Sequence, residues 1–217
     1  MKKKHENIAA YVLHARPFRE TSLLIELFTK ELGRCSVVAR GTARGKSPTR
    51  NLLQSFNYLN INALQGNSEL LTLIQVDREG NVAYLSGNQL ICGLYLNELL
   101  YYTLHRHDPH PNLFLAYDLA IKKLSFSSES AFVLREFELI LLEELGYAID
   151  FSNINSDEYY SYHSSLGFNL ISNKAFIHNG FSGEILLKIA EKKWHESGVM
   201  KTAKFLTRQA LEPLLNG

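Results

Sequence analysis

Between Arg34 and Arg50 the chain carries Arg34, Arg40, Arg44, Lys46 and Arg50 and no acidic residue. The core of this run, Arg40-Gly-Thr-Ala-Arg-Gly-Lys-Ser-Pro-Thr-Arg50, is punctuated by glycine and too polar to pack. It follows Gly33-Arg-Cys-Ser-Val-Val-Ala39, whose alternation predicts a β-strand. A cationic loop leaving a strand suits a polyanion such as nucleic acid better than a small neutral metabolite. Charge alone is equally compatible with a solvated turn.

Other groups offer different chemistry. Gly41-Thr-Ala-Arg-Gly45-Lys46-Ser47 approaches a phosphate-binding loop, but three residues separate its first glycine from Gly-Lys-Ser where the nucleotide pattern needs four. Pro48 follows at once and no parallel βαβ pattern surrounds it, which argues against a nucleotide hydrolase. His105-Arg-His107-Asp108-Pro-His110 has metal-capable side chains, yet helix ends collect His and Arg for the favourable dipole, and no second ligand cluster accompanies it. Glu98, on an apolar helix, is expected to be buried and paired with an arginine such as Arg135. Nothing in the residues demands an enzyme.

Net charge is +1, but it is segregated: 12 Lys/Arg against 7 Asp/Glu up to Gly80, and 11 against 15 beyond. Such asymmetry suggests two modules, the first facing an anionic partner. A length of 217 residues allows one large or two small domains. Cys35 and Cys92 are the only cysteines, too few for a disulfide framework or a four-cysteine zinc site, and they fit a reducing cytoplasm. The apolar stretch from Ile8 to Ala15 is too short and mixed for a secretion signal, and no run reaches the roughly 18 residues of a membrane helix.

These residues need elements to position them. Five strand-like segments are predicted: Ile8–His14, Thr21–Thr29, Arg34–Arg40, Tyr58–Leu64 and Leu70–Val76. Breaks are expected at Arg16-Pro17, at Glu31–Gly33 and at Gly66-Asn67, with a helical turn over Thr49–Gln54. Short strands with that insertion before the fourth predict a closed barrel of the OB type. Tyr11, Phe18, Phe28, Phe56 and Tyr58 lie in this module; most belong in its core, and any facing a groove would stack bases.

Beyond Gly80 the period becomes helical. Helices are expected from Ser86–Asn88 to Leu104, then over Asn112–Leu124, Glu129–Leu145, Gly183–Trp194 and Val199–Leu215. The first is apolar nearly all round, which predicts burial between neighbours. Gly146 should stop the third, and Ser182 should cap the fourth. The last gathers Lys201, Lys204 and Arg208 on one face. Between Phe151 and Asn179 only a hairpin around Ser164-Ser165 is suggested.

Ala10-Tyr-Val-Leu-His-Ala-Arg-Pro-Phe-Arg-Glu-Thr-Ser-Leu-Leu24, Phe28-Thr29, Gly33-Arg34, Val38-Ala-Arg-Gly41 and Lys46-Ser47 resemble the opening of the bacterial RecO family of recombinational repair mediators. Gly93-Leu-Tyr-Leu-Asn-Glu-Leu-Leu100, Arg135-Glu-Phe-Glu-Leu139, Leu145-Gly-Tyr147 and Lys204-Phe-Leu-Thr-Arg-Gln-Ala-Leu-Glu-Pro-Leu214 are similar to later family signatures. The likeness runs in order along essentially the whole chain.

The resemblance implies an α+β protein with an OB-fold nucleic-acid-binding domain over 1–80 and a helical protein-interaction domain over 81–217. It implies no catalysis and no cofactor. RecO-like proteins bind single- and double-stranded DNA, anneal complementary strands, engage the C-terminal tail of single-strand-binding protein and, with RecR, help RecA load, with a functional link to RecF. A cytoplasmic, nucleoid-associated location goes with that role. Carried over, DNA binding falls on Arg34, Arg40, Arg44, Lys46 and Arg50, with Arg16 and Arg19 as secondary candidates. The acidic, apolar-ended tail should meet a greasy groove rimmed by cations, with Arg135, Lys201, Lys204 and Arg208 the candidates. Some members carry a four-cysteine zinc site; Phe151–Phe181 has no cysteine, so no metal is expected. Many members also continue in a basic tail, and a chain ending at Asn216-Gly217 should bind duplex more weakly. Two alternatives stay open: an OB-domain RNA-binding protein with a regulatory helical half, and the nucleotide hydrolase.

Overall fold

Five strands of the N-terminal segment close into a barrel around a shared apolar core. The computed structural model describes residues 2–42, 48–80, 83–126, 130–173 and 180–215. Strands β1 (Lys3–Phe18), β2 (Ser22–Thr29), β3 (Gly33–Ala39), β4 (Tyr58–Gln65) and β5 (Leu71–Arg78) close in the order β1-β2-β3-β5-β4, with helix α1 (Pro48–Leu52) between β3 and β4. β3 and β5 run parallel and every other pair antiparallel. This is the OB arrangement that the strand spacing and the insertion predict. Ile8, Ala10 and Val12 of β1 meet Ile25, Leu27, Val37, Leu59 and Ile61 inside it.

β1 runs straight through the expected break at Arg16-Pro17, where Pro17 sits opposite Leu23. The reason lies on its other edge, where pairing with β4 ends at Tyr11. Pro17 thus lies where β1 has a neighbour on one side only, a place where proline is tolerated in a strand, and the strand turns only at Arg19, whose φ is 55°.

The outward residues of β1–β3 are buried as well, among them Tyr11, Leu13, Glu26, Phe28 and Ser36. Helices α2 (Gly87–Thr103) and α3 (Pro111–Phe126) lie over this face. Tyr11 packs on Phe114 and Tyr117 of α3, and the Asn97 amide of α2 donates to the Leu13 carbonyl at 2.8 Å. The expectation that α2 is buried all round is corrected. Leu96, Leu99 and Leu100 are buried, whereas Ile91, Leu94 and Tyr102 of the same helix are exposed.

The chain divides into two compact units, Met1–Ser128 and Glu129–Gly217. The last barrel strand ends at Arg78, and α2 and α3 belong to the same compact unit as the barrel. In the second unit α4 (Ser130–Glu144) precedes β6 (Tyr159–His163), β7 (Gly167–Leu170) and β8 (Phe181–Ser182), then α5 (Gly183–Ala190) and α6 (Val199–Leu215). The three strands pair β7-β6-β8, and the suggested hairpin is the β6–β7 turn. Its core gathers Tyr160, Phe181, Leu186, Ile189, Trp194 and Leu206. Gly146, at φ 81°, ends α4 as expected, with the Tyr147 N–H reaching back to the Leu142 carbonyl at 2.7 Å. Ser182 stands at the N-cap of α5, but its hydroxyl makes no capping bond, and the helix stops at Ala190, short of Trp194. Among the described residues no helix is long and apolar enough to cross a membrane.

Candidate nucleic-acid interface

Register places the predicted cations at two opposite ends of the barrel. Arg16 stands opposite Leu24, and Leu24 opposite Val38, so Arg16, the Arg19 turn and Arg40 share the end where β3 finishes. Two strand spacings, about 10 Å, separate the backbones of Arg16 and Arg40. Arg50 joins them on α1. That helix is held at this end because Leu53 enters the barrel core and the Ser55 hydroxyl donates to the Leu13 carbonyl at 3.2 Å. Arg16, Arg19, Arg40 and Arg50 are all exposed, and the Arg19 guanidinium lies 5.3 Å over the Phe18 ring. Arg44 and Lys46 lie outside the described residues.

Arg34 is not part of that group. It lies six residues back along β3 from Arg40, about 20 Å away along the strand. Its Nε donates to the Leu104 carbonyl at 3.0 Å, its Nη1 pairs with Glu26 at 3.4 Å, and its guanidinium sits 5.0 Å over the Tyr101 ring. Glu26, itself buried, also takes Arg106 at 3.0 Å and the Ser36 hydroxyl. A carboxylate in such a setting needs its cations, because an unpaired buried charge would be far costlier. The 104–110 connection is drawn in close. The His107 N–H donates to the Arg34 carbonyl at 2.9 Å, and a Cβ on Gly33 would lie 2.0 Å from the Asp108 carbonyl oxygen. Arg34 thus ties the α2–α3 connection to the barrel. Arg106 of the histidine run serves the same tie, and His110 pairs with Asp108 at 3.4 Å.

Tyr11, Phe28 and Tyr58 point out of the barrel and pack on α3. Tyr11 and Tyr58 stack at 5.0 Å, and Phe28 and Phe114 are tilted at 5.4 Å. The Tyr11 hydroxyl donates to Asp118 at 2.6 Å, and burial together with that carboxylate pushes the phenol's pKa well up. Burial, reinforced by Glu26, likewise pushes the Cys35 thiol up to about 12, leaving it protonated and unreactive at neutral pH. The exposed aromatics are instead Tyr101 and Tyr102, which the sequence reading missed; both line the groove that Arg16 borders, and Tyr101 lies under Arg34. The available signal was α2 itself, whose apolar residues outnumber those one buried face can hold.

In the second unit Arg135 is buried, and its partner is Glu138 at 2.5 Å rather than Glu98, which is exposed on α2. The Thr207 hydroxyl donates to the same Glu138 at 2.5 Å, joining α4 to α6. Lys201, Lys204 and Arg208 are exposed on α6 as expected, and Phe205, 54% exposed, stands among them at helical spacing.

The closed five-stranded barrel with its inserted helix defines an OB-fold protein whose outer β1–β3 face is covered by its own helices. Residues 1–79 match the family model described as recombination protein O N terminal, and residues 85–156 that of recombination protein O C terminal. The DNA repair protein RecO of Tolumonas auensis is 38% identical over 214 residues, 95% of this chain and 88% of that relative. That of Pseudoalteromonas atlantica is 37% identical over 217 residues, covering 97% and 89%. That of Nitrosospira multiformis is 47% identical over 148 residues, 68% of this chain but only 61% of the relative, less than two thirds of its length. The chain belongs to the RecO family of DNA repair proteins.

Proposed function

We propose that this protein binds single- and double-stranded DNA through the cationic end of its barrel, anneals complementary strands and, with RecR, helps RecA load onto DNA coated by single-strand-binding protein. The observation that carries this reading is the convergence of Arg16, Arg19, Arg40 and Arg50 at the end from which the 43–47 connection leaves. Arg44 and Lys46 add two further cations to the sequence between Arg40 and Arg50. Phosphates meet point charges there, and the protein's part is to hold strands together rather than to make or break bonds. Arg34 belongs to the proposed surface only indirectly, through the tie that holds α2.

The tail of single-strand-binding protein is proposed to meet α6. Phe205 amid Lys201, Lys204 and Arg208 offers an apolar contact ringed by cations, which suits an acidic tail with an apolar end. Arg135 contributes from beneath, since Glu138 and Thr207 hold that helix in place.

The test is annealing of complementary DNA strands coated with single-strand-binding protein, comparing wild type with Arg16→Ala/Arg40→Ala/Arg50→Ala. Loss of annealing in a variant with an unchanged melting profile is expected. With these six cations engaged, wild-type single-strand affinity should fall with salt at a log–log slope of roughly −4. Annealing that survives the triple substitution would move the DNA contact to another surface. A clear preference for RNA of the same sequence would favour the RNA-binding alternative.

A further inference from the structure

The exposed side of α2 faces a groove of about 550 Å³ against the free edge of β1, lined by Leu13, His14, Arg16, Leu94, Glu98, Tyr101 and Tyr102, among others. Its volume is that of a small-ligand site. One end is Arg16, which also belongs to the cationic end of the barrel. Its aromatic wall is built. Arg34 lies 5.0 Å over the Tyr101 ring, and the rings of Tyr101 and Tyr102 are perpendicular, 5.3 Å apart. Tyr102 is 59% exposed, Leu94 49% and Tyr101 38%, a large apolar surface for a helix already packed on its other side.

The polar groups choose among occupants. The Asn97 amide is used at both ends, donating to the Leu13 carbonyl and accepting from the Tyr117 hydroxyl, so it shapes the floor without reading a ligand. Glu98 brings a carboxylate into the wall, which disfavours an acidic peptide and a phosphate inside the groove. A flat, neutral ring carrying an N–H₂ donor satisfies every wall: its face on tyrosine, its amino group on the carboxylate, and its phosphate outside, at Arg16. That description fits a nucleobase bearing an exocyclic amino group.

We propose that the groove receives one unstacked base of a single strand bound along the cationic end, stacked on Tyr102 with its exocyclic amino group donating to Glu98. The proposal rests on the DNA-binding reading above and adds a subsite to it. Cytosine and adenine, which carry the amino group at that edge, bind better than thymine.

The experiment is titration of the full chain with single-stranded dC and dT oligomers and with duplex, across a salt series. Tyr102→Ala should weaken single-strand binding by roughly 5- to 100-fold. It should leave duplex affinity and the salt slope unchanged, because stacking releases no counterions. Tyr102→Phe should restore binding, and Glu98→Gln should remove the preference for dC over dT. Photocrosslinking with a 5-iododeoxycytidine strand should label Tyr101 or Tyr102. Wild-type binding by Tyr102→Ala, or crosslinks confined to other elements, overturns the base site while the DNA reading stands if the arginine variants still lose slope. Absence of any salt-dependent DNA binding by wild type overturns both.

Discussion

Arg34 and Arg40 have the same side chain and lie on one strand, yet their surroundings give them different work. Arg40 is exposed where β3 ends, whereas the Arg34 side chain is 13% exposed and bound to Glu26, the Leu104 carbonyl and the Tyr101 ring. Arg34→Ala removes two hydrogen bonds donated by a charged guanidinium in a nearly buried setting, one to Glu26 and one to the Leu104 carbonyl, and Arg106 alone remains to offset Glu26. We expect a loss of about 2–3 kcal/mol in denaturant unfolding, with no change in the salt slope of single-strand binding. Arg40→Ala should do the reverse: unchanged stability, and a slope shallower by about 0.7. If Arg34→Ala were to flatten the slope as much as Arg40→Ala, phosphate contact at Arg34 would have to replace this division. Charge in the sequence marked both residues alike. What separates them is Arg106, 80 positions from Glu26, a pairing that no local pattern announces.

At the scale of elements, β4 was legible because one-sided burial imposes a period of two: Leu59, Ile61 and Ala63 go inward while Asn60 and Asn62 do not. Pro17 misled because its effect depends on whether its missing donor faces a neighbouring strand, which only the closed barrel decides. The exposed half of α2 misled for a related reason: composition reports how apolar a helix is, and packing reports how much of it is covered. The candidate site shows the same split, since the cations were legible by type while their sorting to two barrel ends, and the tyrosines beside one of them, depend on register. Arg135 gives the element-scale prediction. Its pair with Glu138, shared with Thr207, joins α4 to α6 in a buried setting. Arg135→Met and Glu138→Met should each cost about 3–5 kcal/mol by leaving a buried charge without its counter-charge. The double variant should cost clearly less than the sum of the two, because it removes both charges together. Additive costs in such a cycle would mean that the pair contributes nothing as a pair.

At the scale of the molecule, the first compact unit is a barrel together with α2 and α3, and the barrel's outward aromatics show why. Tyr11 and Phe28 are 2% and 0% exposed although both point out of the barrel, because Phe114 and Tyr117 of α3 complete their packing. Glu26 depends likewise on Arg106, which lies between the two helices. A fragment ending at residue 80 would return these aromatics to water, at on the order of 2–3 kcal/mol for each large side chain, and would leave Glu26 with Arg34 alone. Domains this small have little stability to lose. A fragment of residues 1–128 should therefore melt cooperatively, whereas residues 1–80 should bind a hydrophobic dye and show no sharp transition. Calorimetry and dye fluorescence on the two fragments decide the matter. A cooperative transition for residues 1–80, near that of the longer piece, would mean that the barrel interior alone sustains the fold. In that case α2 and α3 would be an attached layer, and the groove beside Tyr102 would be free to open without disturbing the strands that carry Arg16 and Arg40.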